Sequence, residues 1–216
     1  MNNKDMKIKR KLSRDEIVIR KENSGDFYEV ESMTKRAFWN KYKPGCNEHY
    51  LVHKMRDDLW YLPELSRVAL KDGEIIGAIF YCKGEVVQDG VINEVLSFGP
   101  LCVDPKWQGM GVGAFLMEET IKLAKHSVYK GIIILGEVDY YPRFGFVPCN
   151  KFGITTSDGK NFPAFMCLEL STNSMENING KFYYADVFNN LPDSEVEEFD
   201  KQFPYMEKLK LPGQWT

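Results

Sequence analysis

The sequence lacks the features that mark membrane and secreted proteins. Its longest apolar run, GIIILG, has the length of a β-strand, whereas a membrane span needs about 20 apolar residues. The five cysteines are scattered and form no Cys-x-x-Cys pair, which indicates reduced thiols and not a disulfide framework. The opening MNNKDMKIKRKLSRDE has no apolar signal-peptide core. We therefore expect a cytoplasmic protein without a membrane partner.

The sequence also lacks the basic excess that is typical of nucleic-acid-binding proteins. Its formal net charge is −3, so nucleic acid is not an expected partner. Basic residues do gather in the first 14 positions, where a solvated polar tail is a simpler interpretation than a nucleic-acid arm. A length of 216 residues with 44% hydrophobic content suits one large domain or two very small ones.

Hydrophobic periodicity predicts a mixed fold of helices and strands. After a strand in EIVIRK, Ser24 is expected to cap a helix that turns Phe27, Val30, Met33 and Phe38 inward, and NEHYLVHKMRDDL predicts a second helix. Asp72-Gly73 between SRVALK and EIIGAIFYCKGEVV indicates an antiparallel hairpin. The run GIIIL is apolar on both faces, as in a buried parallel strand, and FGFVPC and AFMCLEL predict the last strands of the sheet.

We expect residues 1–14 to be a polar tail, 15–170 one domain, and 171–216 a C-terminal extension on or beside it. Within the extension, GKFYYADVF predicts one more strand and DSEVEEFDKQF an acidic, mostly solvated helix.

The stretch VDPKWQGMGVGA carries the strongest functional signal. Gly109, Gly111 and Gly113 follow a strand and precede a helical pattern from Gly113 to His126. A helix N-terminus offers unpaired N–H groups, and glycines let a phosphate approach the backbone. Gly109, Gly111 and Ala114 also fit the dinucleotide fingerprint Gly-x-Gly-x-x-Ala, but the intervening DPKWQ and the antiparallel strands before it argue against a Rossmann turn.

Two separated motifs resemble the GNAT (Gcn5-related) N-acetyltransferase family. Gln108, Gly111 and Gly113 match its Gln/Arg-x-x-Gly-x-Gly/Ala loop, and Tyr141 stands four residues before Gly145-Phe146, as a tyrosine often does in that family. FGPLCVDPKWQGMGVG together with YYPRFGF is especially similar to the bacterial YhbS-like subgroup. The resemblance spans most of the chain, from Glu16 to Leu170.

This resemblance implies an α/β (α+β) GNAT (acyl-CoA N-acyltransferase) fold. Its mostly antiparallel mixed sheet of about seven strands would be splayed at the CoA site and flanked by helices on both faces. Acetyl-CoA is the implied cosubstrate, and the implied cofactor-binding residues are Leu101, Cys102, Val103, Gln108, Gly109, Met110, Gly111, Val112 and Gly113. Independently, Gly99-Pro100 inside a strand indicates a bulge that would free backbone N–H groups, and one at Leu101 or Val103 would polarise the thioester carbonyl.

Direct acetyl transfer to an amine needs a proton donor for the thiolate and a base for the amine. Tyr141 is the candidate acid, with Tyr140 as its neighbouring substitute, because a phenol stays protonated at neutral pH. Glu94, early in the strand that leads to the CoA site, is the first candidate base and Glu137 the second. By family analogy the acceptor pocket involves the first two helices, around Trp39, Tyr42, Tyr50 and Asp57.

Several alternatives stay open at this point. A non-catalytic CoA-binding module of the same fold and, more remotely, an NAD(P)-dependent oxidoreductase compete with the N-acetyltransferase. A small-molecule amine is the expected acceptor, and a homodimer is left open. Cys46, His49 and His53 have a metal-like spacing but no fourth ligand, so a shared helix face is preferred and no metal is expected. Cys102 has no partner histidine, which argues against an acyl-enzyme.

Overall fold

A long antiparallel hairpin runs through the centre of the sheet. It consists of β3 (Glu74–Gln88) and β4 (Val91–Val103), which pair from Gly77↔Val103 to Gln88↔Val91. The computed structural model describes residues 10–214, so the first nine residues of the expected polar tail lie outside the described residues.

Within the described residues, the sheet has nine strands in the order β1-β2-β3-β4-β5-β8-β6, with β9 paired to β3 and β7 paired to β9. The other strands are β1 (Val18–Arg20), β2 (Arg67–Lys71), β5 (Gly131–Leu135), β6 (Val147–Pro148), β7 (Ile154–Thr156), β8 (Phe165–Glu169) and β9 (Gly180–Tyr184). The pairs β4–β5 and β7–β9 are parallel and the remaining pairs are antiparallel. The predicted mixed, mostly antiparallel sheet is confirmed, but it is larger than expected because β7 and β9 also join it.

Helices cover both faces of the sheet. They are α1 (Phe27–Phe38), α2 (Glu48–Met55), α3 (Val112–Lys125) and α4 (Asp193–Asp200). On one face, Val30 and Met33 of α1 lie in a buried cluster with Phe80 of β3. On the other, Leu116 of α3 lies in a cluster with Ile79. Neighbouring side chains of β3 thus pack on opposite faces of the sheet, because successive side chains of a β-strand alternate in direction. In the part of the chain that the structure describes, no helix is long and apolar enough to cross a membrane.

The start of α1 differs from the expectation. The side chain of Asn23, not Ser24, accepts a hydrogen bond from the Gly25 N–H and caps a short 3-10 turn, after which α1 begins at Phe27. Asn23 is the capping residue because it precedes the turn, and a side chain at that position can reach the free N–H groups. Of the residues expected to face inward, Val30 and Met33 are buried, whereas Phe27 is exposed.

The acidic helix α4 is more deeply packed than its composition indicates. Val196 and Phe199, together with Phe203 just after the helix, form a buried cluster with Tyr50 of α2. These three residues are spaced as on one face of a helix. Asp200 lies beside them and contacts His49 and Lys35, whereas the other acidic residues of the helix, Asp193, Glu195, Glu197 and Glu198, are exposed. The predicted acidic, mostly solvated helix is confirmed, since five of its eight residues are exposed, but Val196 and Phe199 also pack it against α2.

Candidate active site

A gap between β4 and β5 is the central feature of the site. The two parallel strands pair at Leu96↔Ile132, and this is the one register pair between them among residues 10–214. On its other side β4 has a bulge, because Phe98 faces Tyr81 and Leu101 faces Ile79, which leaves Gly99 and Pro100 opposite a single residue. The bulge inferred from Gly99-Pro100 is present, and the sheet is splayed after it.

Backbone groups of β4 line this gap. The Asp104 N–H donates to the Ile76 carbonyl of β3 at 3.0 Å, so by strand alternation the N–H groups of Leu101 and Val103 face away from β3. The Val103 carbonyl confirms this direction, because it accepts a hydrogen bond from Gln108 Nε2 at 3.0 Å instead of one from β3. Two donors of β4 therefore face the gap.

The side chain of Cys102 faces away from the gap edge and is buried. Its Sγ lies 3.6 Å from the Ala78 carbonyl and 3.4 Å from Thr34 Oγ1. Burial raises the pKa of this thiol to about 12, so it is protonated at neutral pH. Cys102 is thus a poor nucleophile, which agrees with direct transfer.

The unusual PKWQ segment is a turn held by Asp104. The Asp104 carbonyl accepts the N–H groups of Trp107 at 2.8 Å and Gln108 at 3.1 Å, and its carboxylate accepts the Lys106 N–H at 3.0 Å. Arg36 of α1 donates to the second carboxylate oxygen at 2.9 Å. The turn brings the chain from β4 to the start of α3.

The glycine loop that follows presents free backbone at a helix N-terminus. Gly109 and Gly111 have φ values of +80° and +99°, a region that L side chains rarely adopt. Helix α3 begins at Val112, and the Phe115 N–H makes its first bond, to the Gly111 carbonyl, at 3.1 Å. The N–H groups before Phe115 have no partner within the helix, so they and the helix dipole form a site for an anion.

Gly113, unlike the other two glycines, makes room for a neighbouring side chain. A Cβ there would lie 3.0 Å from the Tyr140 hydroxyl, so the glycine lets Tyr140 approach α3.

The N-terminal residues also reach this loop: Lys11 Nζ donates to the Gly109 carbonyl and the Leu12 N–H to the Met110 carbonyl, both at 2.9 Å. The polar tail was expected to be frayed, yet Lys11 and Leu12 contact the loop. Leu12, an apolar residue inside the basic run and buried here, is the signal that could have indicated it.

Tyr141 lies at the gap, between the ends of β4 and β5. Its ring centroid is 5.7 Å from that of Phe98 on β4, and its ring lies against Gly136, which follows β5 and where any side chain would overlap it. Burial raises the pKa of Tyr141 above its usual value of 10, with smaller contributions from Tyr140, Tyr42 and Glu137. The phenol therefore stays protonated and can donate a proton.

The two candidate bases lie in very different places. Glu94 is exposed, pairs with Lys83 at 3.2 Å, and precedes Leu101 by seven positions along the strand, about 20 Å at the rise of a β-strand. It therefore does not reach the gap at Leu101, and its position does not support the role of base. Glu137, the second candidate, follows β5 and accepts a hydrogen bond from the Tyr42 hydroxyl at 3.1 Å.

The structure separates the four residues expected at the acceptor pocket. Tyr42 lies at the gap because its hydroxyl donates to Glu137 there. Trp39, three positions earlier, donates from Nε1 to the Glu207 carbonyl at 2.9 Å. Tyr50 is instead buried against α4, where its hydroxyl donates to Glu195 at 2.5 Å. Asp57 lines a separate surface pocket of about 300 Å³ near the end of α2.

The metal-like triplet is divided between two polar clusters. Cys46 Sγ lies 3.5 Å from His49 Nδ1, and His49 Nε2 lies 2.9 Å from Asp200 of α4, whereas His53 contacts Glu31 at 3.0 Å. Burial lowers the pKa of His49 to about 4, although the charge of Asp200 opposes this. No group of three metal-ligating side chains occurs between residues 10 and 214. The His49–Asp200 contact indicates a structural role in docking α4.

Comparison with known proteins identifies the family. A family model described as an acetyltransferase (GNAT) domain matches residues 58–148. The chain is 35% identical over 133 residues to the uncharacterized N-acetyltransferase YjhQ of Escherichia coli K12, which covers 60% of this chain and 67% of that protein. It is 26% identical over 174 residues to the uncharacterized N-acetyltransferase YhbS of the same strain, which covers 80% of this chain and 99% of that one.

Solved structures agree with these relatives. The GNAT family N-acetyltransferase YhbS from Escherichia coli in complex with CoA aligns with a TM-score of 0.72 and 25% identity, covering 82% of this chain and 94% of that one. A GNAT family acetyltransferase from Brucella melitensis in complex with acetyl-CoA aligns with a TM-score of 0.63 and 26% identity, covering 80% and 97%. The resemblance inferred from the glycine loop and Tyr141 motif is confirmed, and the chain belongs to the GNAT acetyltransferase family.

Proposed function

We propose that this protein transfers the acetyl group of acetyl-CoA directly to a primary amine of a small molecule. The observation that carries the proposal is the gap beside β4, where outward-facing N–H groups lie directly before a glycine loop at a helix N-terminus. The complexes of the two relatives with CoA and acetyl-CoA support it. The proposal takes residues 15–170 as the catalytic unit, places it in the cytoplasm and leaves a homodimer open.

The glycine loop and β4 divide the binding of acetyl-CoA between them. The N–H groups of Gly109, Gly111, Val112 and Gly113 would bind the pyrophosphate. Met110, whose N–H donates to the Trp107 carbonyl at 3.3 Å, would hold the turn within this loop, and Gln108 would keep the loop against β4 through its bond to Val103. The pantetheine arm would lie along Leu101, Cys102 and Val103 like an added strand. The Leu101 or Val103 N–H would then donate to the thioester oxygen as negative charge develops there.

Glu137 would accept a proton from the amine, and Tyr141 would donate one to the leaving thiolate. An alkyl ammonium has a pKa near 10.4 and must lose a proton, which Glu137 at the gap would accept directly or through water. The amine nitrogen then forms a bond to the thioester carbon, and the C–S bond breaks with its electron pair going to sulfur. Tyr141 would protonate that sulfur, and the second proton lost from nitrogen would restore the phenol through solvent.

The substitution Tyr141→Phe tests this assignment. It removes only the hydroxyl, so we expect kcat to fall by about 100-fold or more while the Kd of acetyl-CoA changes by less than about twofold. Release of CoA thiol with a panel of amines measures the first quantity, and calorimetric titration measures the second. Tyr140→Phe is the companion variant, because Tyr140 is the substitute acid and its hydroxyl lies against Gly113 of α3. A loss of kcat there in place of Tyr141→Phe would move the acid role to Tyr140. An unchanged kcat in Tyr141→Phe would eliminate the acid role.

Two other functions are distinguished by the same measurements. A non-catalytic CoA-binding module predicts tight acetyl-CoA binding by the wild-type protein with no release of CoA on any amine. An NAD(P)-dependent oxidoreductase predicts binding of the dinucleotide and none of acetyl-CoA, and membership of the GNAT family argues against it.

A further inference from the structure

The chain before β1 passes over the glycine loop and the first turns of α3. Lys11 and Leu12 contact the loop, and Arg14 contacts the helix. These three residues lie outside the part that the family model matches, residues 58–148, and they also precede the catalytic unit proposed above. The N-terminal segment, residues 11–14, therefore adds contacts that the motif of the loop does not itself contain.

Apolar and ionic contacts with α3 hold this segment in place. Leu12 is buried in the same cluster as Val112, the first residue of α3. Arg14 donates to Glu118 at 3.1 Å and to Glu119 at 2.7 Å, both in the second turn of the helix. It thereby neutralises two carboxylates that would repel an anion at the helix start. The backbone at Lys11 is thus placed by its neighbours.

The segment bonds to two consecutive carbonyl groups of the loop. The Gly109 carbonyl accepts Lys11 Nζ, and the Met110 carbonyl accepts the Leu12 N–H, both at 2.9 Å. Two peptide units of the loop therefore have their oxygen atoms fixed on the side that faces the N-terminal segment.

These bonds also set the direction of the N–H groups of the loop. In a trans peptide the N–H points opposite to the carbonyl, and the Met110 N–H does so, because it donates to the Trp107 carbonyl at 3.3 Å. By the same rule the Gly111 N–H faces away from Leu12. No backbone acceptor in residues 10–214 bonds to that N–H, so it is available to a ligand.

The Lys11 side chain brings an uncompensated positive charge to the loop. Within the described part of the chain its ammonium bonds to the Gly109 carbonyl and forms no ion pair, whereas the neighbouring Arg10 pairs with Glu16 at 2.5 Å. The positive end of the α3 dipole lies at the same loop. Both charges attract an anion to the same place.

We propose that Lys11 and Leu12 belong to the acetyl-CoA site, where they fix the carbonyl side of the glycine loop and place a positive charge one peptide unit from the coenzyme diphosphate. This inference rests on the acetyl-CoA binding proposed above and extends that site to the N-terminal segment. Lys11 acts through the loop and through its charge, so it is a positioning residue. It should favour every ligand that carries the diphosphate, with or without the 3′-phosphate of CoA.

Calorimetric titration of the full chain with CoA and with 3′-dephospho-CoA tests the inference. In Lys11→Met, which removes the charge and keeps an aliphatic side chain, the Kd of both ligands should rise about fivefold. Lys11→Arg should keep both Kd values within about twofold of the wild type, because it retains the charge and the N–H donors. The rise in Lys11→Met should shrink at high salt, since Lys11 is exposed and its charge is screened there.

Arg10→Met is the matched control. It removes the same charge from the adjacent position, but Arg10 pairs with Glu16 and not with the loop. Its Kd for CoA should stay within about twofold of the wild-type value, because the pairing already offsets its charge. An equal rise in Arg10→Met and Lys11→Met would show an effect of overall charge and would overturn the inference.

The other results also decide between explanations. An unchanged Kd in Lys11→Met overturns the inference. A rise with CoA but none with 3′-dephospho-CoA assigns the charge to the 3′-phosphate and overturns the role at the diphosphate. A rise that Lys11→Arg does not reverse, with lower thermal stability in both variants, reduces Lys11 to a structural residue and overturns the inference as well. A wild-type protein that binds neither ligand overturns the proposed function itself.

Discussion

Replacing Gly109 with alanine separates the backbone cost of the glycine loop from its function. Gly109 and Gly73, in the β2–β3 turn, have φ values of +80° and +83°, and a Cβ at either position would meet nothing within 4 Å. The cost of alanine at both sites is therefore conformational. Holding an L residue in this region costs about 1–2 kcal/mol. Part of this cost is offset because alanine also lowers the conformational entropy of the unfolded chain. We expect each variant to lose about 1 kcal/mol, or about 2–4 °C in Tm.

The two variants should differ in their affinity for acetyl-CoA. Relaxation of the loop in Gly109→Ala would turn peptide N–H groups away from the pyrophosphate, and one hydrogen bond to a charged group contributes about 1.5–3 kcal/mol. Calorimetric titration should therefore give a Kd about 10- to 100-fold higher than for the wild type, whereas Gly73→Ala should keep the wild-type Kd. Equal Kd values in the two variants would refute the assignment of the loop to the pyrophosphate.

Two further predictions concern stability and catalysis. Because burial lowers the pKa of His49 to about 4 from the usual 6.5, the unfolded chain binds a proton between these pH values that the folded chain does not. Stability should thus fall by about 2 kcal/mol from pH 7 to pH 5, and urea titrations should show a shallower loss in His49→Gln; equal slopes would contradict this. In Gly136→Ala the new methyl group displaces the Tyr141 ring, so kcat should fall at least about tenfold at an unchanged acetyl-CoA Kd, and a normal kcat would argue against a role for Tyr141 at the gap.

The parts of the site that local sequence chemistry determines could be predicted. A positive φ at Gly109 and Gly111, the Asp72-Gly73 turn and the bulge at Gly99-Pro100 each depend on the conformational limits of one or two residues. Such limits act in the same way wherever the element lies in the fold. This is why the glycine loop, the hairpin and the splayed strand all followed from short motifs.

The parts that depend on distant pairing could not be predicted. Whether Glu94 or Glu137 reaches the gap depends on where β4 and β5 part, and a single pair at Leu96↔Ile132 sets that point. Similarly, Tyr184 packs against the buried cluster around Ile133 only because β9 pairs with β3, 100 positions away at Gly84↔Tyr184. Neither pairing leaves a mark in the local pattern of apolar residues.

The two ends of the sheet limit how copies of this protein can associate. The outer strands β1 and β6 have three and two residues, and β6 ends at Pro148, which has no N–H to offer. In the middle of the sheet, β9 covers the part of β3 that β2 leaves free. A neighbouring chain therefore finds little unpaired backbone to extend at these strands, so association by strand addition is disfavoured there.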